Sequence, residues 1–408
     1  MNIGPTGAPT AVINKLLIAN RGEIAVRITR TAAEMGIATV AIYPQDDKAS
    51  LHVRRAGDAY SLPGRGAQAY LDSDAIIKAA LASGSDALHP GYGFLAESAE
   101  FAEQVEAAGI RFIGPTSHSL RLFGDKVAAR QHAQNLHIPI IPGTGLDSSL
   151  GIEGASELDQ AVKFFKALPA GEAMLIKAVA GGGGRGMRVV NTQGEIAMAL
   201  ERCRSEAQAA FGNPAVYVEQ YLPAVRHLEV QIIGDGAGEC VALGERECSL
   251  QRRHQKIVEI APSPSITTHL REQLTHYAIA LTASDHYRSL GTVEFLLNTH
   301  NNELFFIETN PRIQVEHTVT EAVYGLDLVR LQLELAQGSQ LTDIIPCKDK
   351  ILPRGYAMQL RINMERMDAK GNTKPTGGLI DIYEPPSGVG IRVDGFAYSG
   401  YRSSSHYD

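Results

Sequence analysis

Two acidic residues in the C-terminal half of the chain have the spacing of a metal site on a β-hairpin. Glu294 lies in the apolar run TVEFLLN, Glu308 lies in the run ELFFIETN, and THNN separates the two runs. Two apolar runs around turn-forming residues predict an antiparallel hairpin. If Glu294 and Glu308 face each other, the turn centres on Asn301 and their Cβ atoms are about 4.5–5.5 Å apart.

This acidic pair has two interpretations. Two carboxylates at that distance repel each other unless a cation lies between them. Carboxylate and amide oxygens suit Mg²⁺, which usually bridges protein to phosphates, and Asn310 points to the same side of the hairpin as Glu308. The alternative is a pair of solvated acids on an exposed face.

A glycine-rich segment, AGGGGRGM at residues 180–187, is a candidate phosphate loop. Its glycines formally fit the dinucleotide fingerprint, but MRVV follows, which predicts a strand where that fingerprint needs a helix. No Gly-Lys-Ser/Thr is present, so a Walker A loop is excluded. A hairpin that closes over polyphosphate with its backbone N–H groups and a flexible surface loop both remain. Lys177, four residues before the glycines, favours phosphate binding.

Cationic residues are concentrated in two further segments, QRRHQK (251–256) and NPRIQVEH (310–317). Arginine binds a small oxyanion with a planar fork, whereas lysine is a mobile point charge. Glu316 beside such cations would stay ionised and could act as a general base. A solvated charged face is the alternative for QRRHQK. From the residues alone, the prediction is a small oxyanion bound beside ATP.

The hydrophobic pattern predicts the elements that position these residues. From Lys15 to about residue 125, apolar runs alternate with helical periods, which predicts a doubly wound parallel sheet. Pro, Gly and Ser are dense over 138–155 and predict a domain boundary. From Leu222 the pattern is mainly β, with a helix predicted from Tyr324 to Ala336. The predicted organisation is a disordered tail (1–14), a Rossmann-like N-terminal domain (15–140), a small mobile α+β lid (141–221) and a mainly antiparallel C-terminal domain (222–408).

Composition excludes several classes of protein. A chain of 408 residues is too long for a single core. The net charge of −7 argues against nucleic-acid binding, and no apolar run is long enough to span a membrane. The four cysteines form no CxxC pair and the N-terminus lacks the features of a signal peptide, which together predict a reducing, cytoplasmic location.

The order of the motifs resembles that of biotin carboxylase, the ATP-grasp component of acetyl-CoA, propionyl-CoA, pyruvate and related carboxylases. RRHQK followed by NPRIQVEH is the most specific feature, and the resemblance covers about residues 15–408. The motifs are IANRGEIA (18–25), HPGYGFLAE (89–97), FIGP (112–115), GDK (124–126), GGGGRGMR (181–188), RHLEVQ (226–231), ECSLQRRHQK (247–256), GTVEFL (291–296) and FIETNPRIQVEHTVTE (306–321).

The resemblance implies an ATP-grasp fold of the α/β class and assigns a role to individual residues. It implies that ATP is bound by Lys126, Lys177, Gly182, Gly183, Gly184, Glu219, Leu222, His227, Gln251, His254 and Leu296. It implies that Mg²⁺ or Mn²⁺ is held by Glu294, Glu308 and Asn310. Bicarbonate would be positioned by Lys256, Arg312, Gln314 and Val315 and deprotonated by Glu316. Arg361 would stabilise the enolate-like oxygen of biotin, and Tyr92 would lie near biotin.

The activity implied is the carboxylation of biotin by bicarbonate and ATP through carboxyphosphate. The biotin would be attached to a separate carrier protein or domain, because no Met-Lys-Met sequence occurs in this chain. A carboxyltransferase and a second copy of the chain are the other implied partners. Two alternatives are another bicarbonate-using ATP-grasp ligase and a catalytically impaired domain that serves as a scaffold.

The chain departs from the family pattern in four places. Ala180 stands where another glycine is common, Gln220 where lysine is common, and QLRIN where ECRIN is common, although Arg361 is kept. Family members also continue for several dozen residues beyond the position of Asp408. The resemblance therefore predicts a C-terminal domain that lacks its usual end.

Overall fold

The N-terminal part of the chain is a parallel five-stranded sheet with the order β3-β2-β1-β4-β5. The structure, a computed structural model, describes residues 12–146, 156–179, 186–345, 352–369, 371–404 and 407. The elements here are β1 (Lys15–Ile18), α1 (Gly22–Glu34), β2 (Ala38–Tyr43), α2 (Leu51–Arg55), β3 (Asp58–Ser61), α3 (Ser73–Ala82), β4 (Ala87–His89), α4 (Ala99–Ala107), β5 (Arg111–Phe112), α5 (Ser117–Gly124) and α6 (Lys126–Asn135). The strand order changes direction between β1 and β4, which is where ligands bind in such folds. The predicted doubly wound sheet is confirmed.

The tail predicted over residues 1–14 lies mostly outside the described residues. Its last part is ordered, because Ile13 is buried and its N–H donates to Gln337 Oε1 at 3.1 Å. Ile13, which the prediction placed in the tail, therefore packs against the folded chain.

The small middle domain is an antiparallel sheet with helices on it, in the order β6-β9-β7-β8. Its core contains Met174, Ile176 and Val218 from the sheet and Leu200 from a helix. The glycine segment joins β7 to β8 and lies, at residues 180–185, outside the described residues. The elements are β6 (Gly143–Leu146), α7 (Glu157–Ala167), β7 (Ala173–Ala178), β8 (Met187–Val190), α8 (Ile196–Phe211) and β9 (Val216–Tyr221).

The C-terminal part contains a larger antiparallel sheet with the order β14-β13-β10-β11-β12-β15. Its elements are β10 (Val225–Asp235), β11 (Cys240–Arg252), β12 (Gln255–Ala261), α9 (Thr268–Ala283), β13 (Arg288–Asn298), β14 (Leu304–Asn310), α10 (His317–Tyr324), α11 (Leu328–Ala336), α12 (Leu341–Ile344) and β15 (Ala357–Leu360). Two short pairs follow, namely β16 (Glu365–Met367) with β17 (Thr373–Pro375) and β18 (Gly378–Leu379) with β19 (Arg402–Ser403).

Helices α5 and α6 pack on this larger sheet, although the sequence assigned them to the N-terminal domain. Phe123 and Ala129 belong to the same buried cluster as Leu228, Phe295 and Phe306. Leu120 of α5 still belongs to the core of the N-terminal sheet, so the change of core falls within α5.

The helix predicted from Tyr324 to Ala336 is present from Leu328 onward, and only its start is wrong. Two helices meet there: α10 ends where Gly325 adopts a φ of 67°, and Asp327 begins α11 by accepting a hydrogen bond from the Arg330 N–H. Glycine adopts this left-handed conformation without the penalty of a Cβ, so the chain turns although its apolar pattern continues. Among the described residues, none of the helices is both long and apolar enough to cross a membrane.

Candidate active site

The hairpin predicted for the acidic pair is present, with Glu294 of β13 directly opposite Glu308 of β14. Thr292 pairs with Asn310 in the same register, so these two carboxylates and the Asn310 amide share one side of the sheet. A bulge after Glu294 shifts the pairing by one residue toward the turn. Because the bulge lies beyond the acidic pair, the predicted pairing of Glu294 and Glu308 is unaffected.

Lys256 lies at the centre of the site and contacts three carboxylates. Its Nζ donates to Glu229 Oε2 at 2.6 Å, to Glu294 Oε1 at 2.9 Å and to Glu316 Oε1 at 2.8 Å. Although burial lowers the pKa of the ammonium group, the three carboxylates raise it well above its usual value. The candidate metal site and the candidate oxyanion site therefore meet at Lys256.

Arg361, immediately after β15, joins two buried carboxylates. Its Nε donates to Glu259 Oε1 at 2.6 Å and its Nη2 donates to Glu316 Oε2 at 3.0 Å. Each oxygen of Glu316 thus faces a cation, Lys256 on one side and Arg361 on the other. Burial raises the pKa of Glu316, but these charges outweigh it and lower the pKa to about 2.

Arg312 lies beside this cluster and is only half-buried. It donates from Nη2 to Asn310 Oδ1 at 3.0 Å and from Nε to Glu97 Oε1 at 2.6 Å. Gln314 is buried and donates to Glu294 Oε1 at 3.0 Å, and the half-buried Val315 lies between Gln314 and Glu316. The segment before α10 therefore places the predicted oxyanion residues next to the hairpin that contains Glu294 and Glu308.

Two residues of the site were missed by the sequence analysis. Arg246 on β11 is fully buried and donates to Glu229, which lies opposite it in the register of β10 and β11. Arg246 also donates from Nη1 to Gln231 Oε1 at 2.8 Å and from Nη2 to Gln314 Oε1 at 3.3 Å. Glu229 and Gln231 alternate with apolar residues in HLEVQ, which is a signal for two polar groups on one face of a buried strand. A buried carboxylate needs a cationic partner, so Glu229 in this pattern predicts a cation such as Arg246 on a neighbouring strand.

Tyr92 lies at the switch point of the parallel sheet, between the ends of β1 and β4. The Asn20 amide donates to Pro90 O and to Tyr92 O at 2.7 Å each, which fixes the turn that carries the ring. The Tyr92 hydroxyl donates to Glu23 in the first turn of α1. Arg361 and Glu316 act electrostatically on this hydroxyl, so Tyr92 borders the cluster around Glu316.

The predicted phosphate lysine of the lid, Lys177 on β7, forms an ion pair with the buried Glu219 of β9. The Lys177 Nζ also lies 5.9 Å from the centre of the Tyr217 ring. Burial lowers the pKa of Lys177, but Glu219, Tyr217 and, more weakly, Glu308 raise it above its usual value. Lys177 therefore interacts electrostatically with Glu308 on the acidic hairpin. Lys126 is the first residue of α6 and is half-buried.

Of the other residues predicted to bind the nucleotide, some contact the cluster around Lys256 and others lie at its edge. His227 Nε2 lies 2.5 Å from Glu294 Oε2, and Gln251 Nε2 lies 2.8 Å from His227 Nδ1, so both residues support a predicted metal ligand. His254 is exposed at the tip of the β11–β12 turn, and Leu222 and Leu296 are half-buried. Gly182, Gly183 and Gly184 lie outside the described residues.

The donor set on the hairpin fits a divalent cation. Glu294 Oε1 accepts from three N–H donors, those of Lys256, Asn310 and Gln314, which hold this carboxylate in place on the hairpin. Among the described residues, the Glu308 side chain forms no hydrogen bond or ion pair, although its backbone pairs with β13, so both carboxylate oxygens are available to an ion. Two carboxylates and an amide oxygen are the hard ligands that Mg²⁺ and Mn²⁺ take together with phosphates.

Comparison with known proteins gives two family matches. Residues 12–120 match the family described as biotin carboxylase, N-terminal domain, and residues 125–344 match carbamoyl-phosphate synthase L chain, ATP binding domain. Biotin carboxylase 1 of Bacillus subtilis is 42% identical over 398 residues, which covers 97% of this chain and 85% of that protein.

Longer relatives and solved structures also match. Pyruvate carboxylase of Aspergillus terreus is 45% identical over 399 residues, but this chain spans only 32% of its length. The biotin carboxylase domain dimer of Hydrogenobacter thermophilus 2-oxoglutarate carboxylase, solved with MgADP, ADP and bicarbonate, has a TM-score of 0.90 and 39% identity. The match covers 98% of this chain and 84% of that one. Biotin carboxylase of Campylobacter jejuni has a TM-score of 0.89, with 38% identity over 97% of this chain and 85% of that one.

The parallel N-terminal sheet, the small antiparallel lid and the acidic hairpin on a larger sheet together define an ATP-grasp enzyme. Within that class, the chain belongs to the biotin carboxylase family.

Proposed function

We propose that this chain catalyses the ATP-dependent carboxylation of biotin by bicarbonate, with carboxyphosphate as the intermediate. One observation carries the proposal: Glu316 is held between Lys256 and Arg361, beside the acidic hairpin. A carboxylate between two cations is placed to receive a proton from an anion that the same cations attract.

In the first step, a bicarbonate oxygen attacks the γ-phosphorus of ATP while Glu316 takes the bicarbonate proton. The bond from that phosphorus to its bridging oxygen breaks, which gives ADP and carboxyphosphate. Lys256 and Arg312 offset the negative charge on bicarbonate, and Gln314 and the backbone at Val315 orient it. A divalent ion held by Glu294, Glu308 and Asn310 would neutralise charge on the phosphates.

In the second step, carboxyphosphate divides into CO₂ and phosphate, and the phosphate takes the N1′ proton of biotin. N1′ then attacks CO₂ to give carboxybiotin. Arg361 stabilises the developing negative charge on the biotin oxygen, since a fixed guanidinium is already oriented before the charge forms. Tyr92 borders the place where biotin would lie.

The low pKa of Glu316 constrains the order of events. With a pKa of about 2 the carboxylate is ionised but is a weak base. Bicarbonate that enters between Glu316 and Lys256 would separate the two charges and raise the pKa of Glu316. We therefore propose that bicarbonate binding itself makes Glu316 a stronger base.

The proposed partners are a biotin carrier, a carboxyltransferase and a second copy of this chain. They follow from the relatives, which include a biotin carboxylase domain dimer and multifunctional pyruvate carboxylases. Cys203, Cys240 and Cys248 are free thiols, which supports the cytoplasm as the proposed location.

Phosphate release from ATP tests the proposal. The expected rate requires Mg²⁺ and bicarbonate together and rises when free biotin is added. Hydrolysis that is indifferent to bicarbonate would contradict the proposal. Hydrolysis that needs bicarbonate but ignores biotin, with carbamoyl phosphate formed when ammonia is supplied, would favour the alternative bicarbonate-using ligase.

A further inference from the structure

Glu259 on β12 is a buried carboxylate that none of the roles above uses. It is fully buried, and its Oε1 accepts the Nε–H of Arg361 at 2.6 Å. Its Oε2 is buried without a hydrogen-bond partner among the described residues. A buried carboxylate oxygen without a donor costs stability, and the Nε–H of Arg361 at Oε1 offsets part of that cost.

Arg361 bridges Glu259 to the proposed general base. The guanidinium donates to Glu259 from Nε and to Glu316 from Nη2, so its plane is fixed at two points. When Glu316 takes the bicarbonate proton, its hold on Nη2 weakens, because a neutral acid is a poorer acceptor than a carboxylate. Glu259 is then the remaining anion that keeps the guanidinium in place.

We propose that Glu259 is a positioning residue that holds Arg361 through its Nε–H while Arg361 transfers its Nη2 contact from Glu316 to the carboxyl acceptor. The inference rests on the proposed function and adds a residue to it. Glu259 touches neither bicarbonate nor ATP in this account and acts only through Arg361.

Several charged groups face Glu259, and they determine its protonation. Arg361 follows β15, Glu316 precedes α10, and Glu229 lies on β10, where Lys256 and Arg246 bind it. Burial raises the pKa of Glu259, the charge of Arg361 opposes this, and the nearby Glu316 raises it further, to about 7. The contact with Arg361 is therefore charge-assisted above pH 7 and weaker below it.

The test compares Glu259→Gln with a matched control, Glu245→Gln. Glutamine keeps an oxygen for the Nε–H but never carries a charge. Glu245 is also buried, also leaves Oε2 without a partner among the described residues and also binds an arginine, Arg271, but it lies outside the cluster. Glu259→Asp is the second variant, because it keeps the charge if Gln prevents folding.

The readout is the biotin-dependent rate from pH 8 to pH 6. The native rate divided by the Glu259→Gln rate is expected to fall about tenfold over this range, because one unit below a pKa of about 7 a carboxyl is only about one tenth ionised. The same ratio for Glu245→Gln should stay constant. The Michaelis constant for ATP should not change in either variant. Equal pH profiles in native protein, Glu259→Gln and Glu259→Asp would overturn the inference.

A second measurement does not depend on turnover. The Arg361 Nε–H resonance, assigned by its loss in Arg361→Lys, is expected to titrate near pH 7 in the native chain and not in Glu259→Gln. If the Arg361 Nε–H resonance titrates near pH 7 but the chain does not carboxylate biotin, the contact between Glu259 and Arg361 is supported and the proposed function is contradicted. If the chain carboxylates biotin but the pH titration of the Arg361 Nε–H resonance is the same in native protein and in Glu259→Gln, this inference is overturned and the proposed function is not.

Discussion

The ammonium nitrogen of Lys256 lies 2.8 Å from Oε1 of Glu316. The proposed base is therefore in direct contact with a cation that the proposed substrate also needs. This contact explains both the stability of a site crowded with carboxylates and the weak basicity of Glu316 before bicarbonate binds.

Replacing Lys256 should reveal its structural role. Lys256→Met leaves Glu229, Glu294 and Glu316 without their shared cation and is expected to lower the free energy of unfolding by about 3–5 kcal/mol. Urea unfolding measures it. Lys163→Met, at an exposed position on α7, is the control and should change stability by less than about 0.5 kcal/mol. Equal effects would mean that the three carboxylates do not depend on Lys256.

Arg361 should affect the biotin step and not nucleotide binding. Arg361→Ala is expected to lower the biotin-dependent rate by roughly 100-fold, the scale for loss of one donor to a developing oxyanion. Calorimetry should show Mg-ATP binding within about twofold of native, because Arg361 contacts Glu259 and Glu316 and not the hairpin. Arg366→Ala, at an exposed position on β16, is the matched control. Parallel losses in rate and in ATP affinity would contradict the assigned role.

Glu308 should determine the metal requirement. Glu308→Gln removes the charge of the carboxylate that faces Glu294 across the hairpin. The Mg²⁺ concentration for half-maximal ATP hydrolysis is expected to rise, because a neutral amide binds a hard cation more weakly. Glu303→Gln, in the exposed turn of the same hairpin, should leave that concentration unchanged. An unaltered Mg²⁺ dependence in Glu308→Gln would remove Glu308 from the metal site.

Glu23 should make stability depend on pH. Burial raises the pKa of Glu23 from its usual value of 4.5 to about 7, although the Tyr92 hydroxyl opposes the shift. Between these values the native state binds more protons than the unfolded state, so this contribution to stability is complete below pH 4.5 and is lost as the pH rises through 7.

Glu23→Gln removes that titration. The stability of the variant relative to native should therefore increase by about 2 kcal/mol between pH 5 and pH 8, as measured by urea unfolding. Glu34→Gln, at an exposed position on α1, should show a constant difference. A constant difference for Glu23→Gln as well would show that Glu23 titrates normally.

Much of the site was predictable because strands impose a period of two. That period, with turn residues at THNN, placed Glu294 opposite Glu308. Ser98, a residue type that favours helix N-termini, caps α4 by accepting from the Phe101 N–H. Local rules therefore predicted the local geometry.

Contacts between distant segments were not predictable in the same way. Nothing in the spacing of Arg361 and Glu259 shows that β15 adds to the edge of β12, since the pairing joins residues about a hundred positions apart. Tyr92 and Glu23 meet because β1 and β4 are neighbours in the sheet. The start of the helix predicted over 324–336 was wrong because an apolar period continues through Gly325, where the backbone turns between α10 and α11.

The direct test of the central claim is the fate of a bicarbonate oxygen. If bicarbonate attacks the γ-phosphorus of ATP, the oxygen that forms the new bond remains on phosphorus when carboxyphosphate divides. Bicarbonate labelled with ¹⁸O, supplied with Mg-ATP and biotin, is therefore expected to yield inorganic phosphate that carries one ¹⁸O atom, in step with carboxybiotin. Phosphate that contains only unlabelled oxygen, released at the same rate, would contradict carboxyphosphate formation at Glu316.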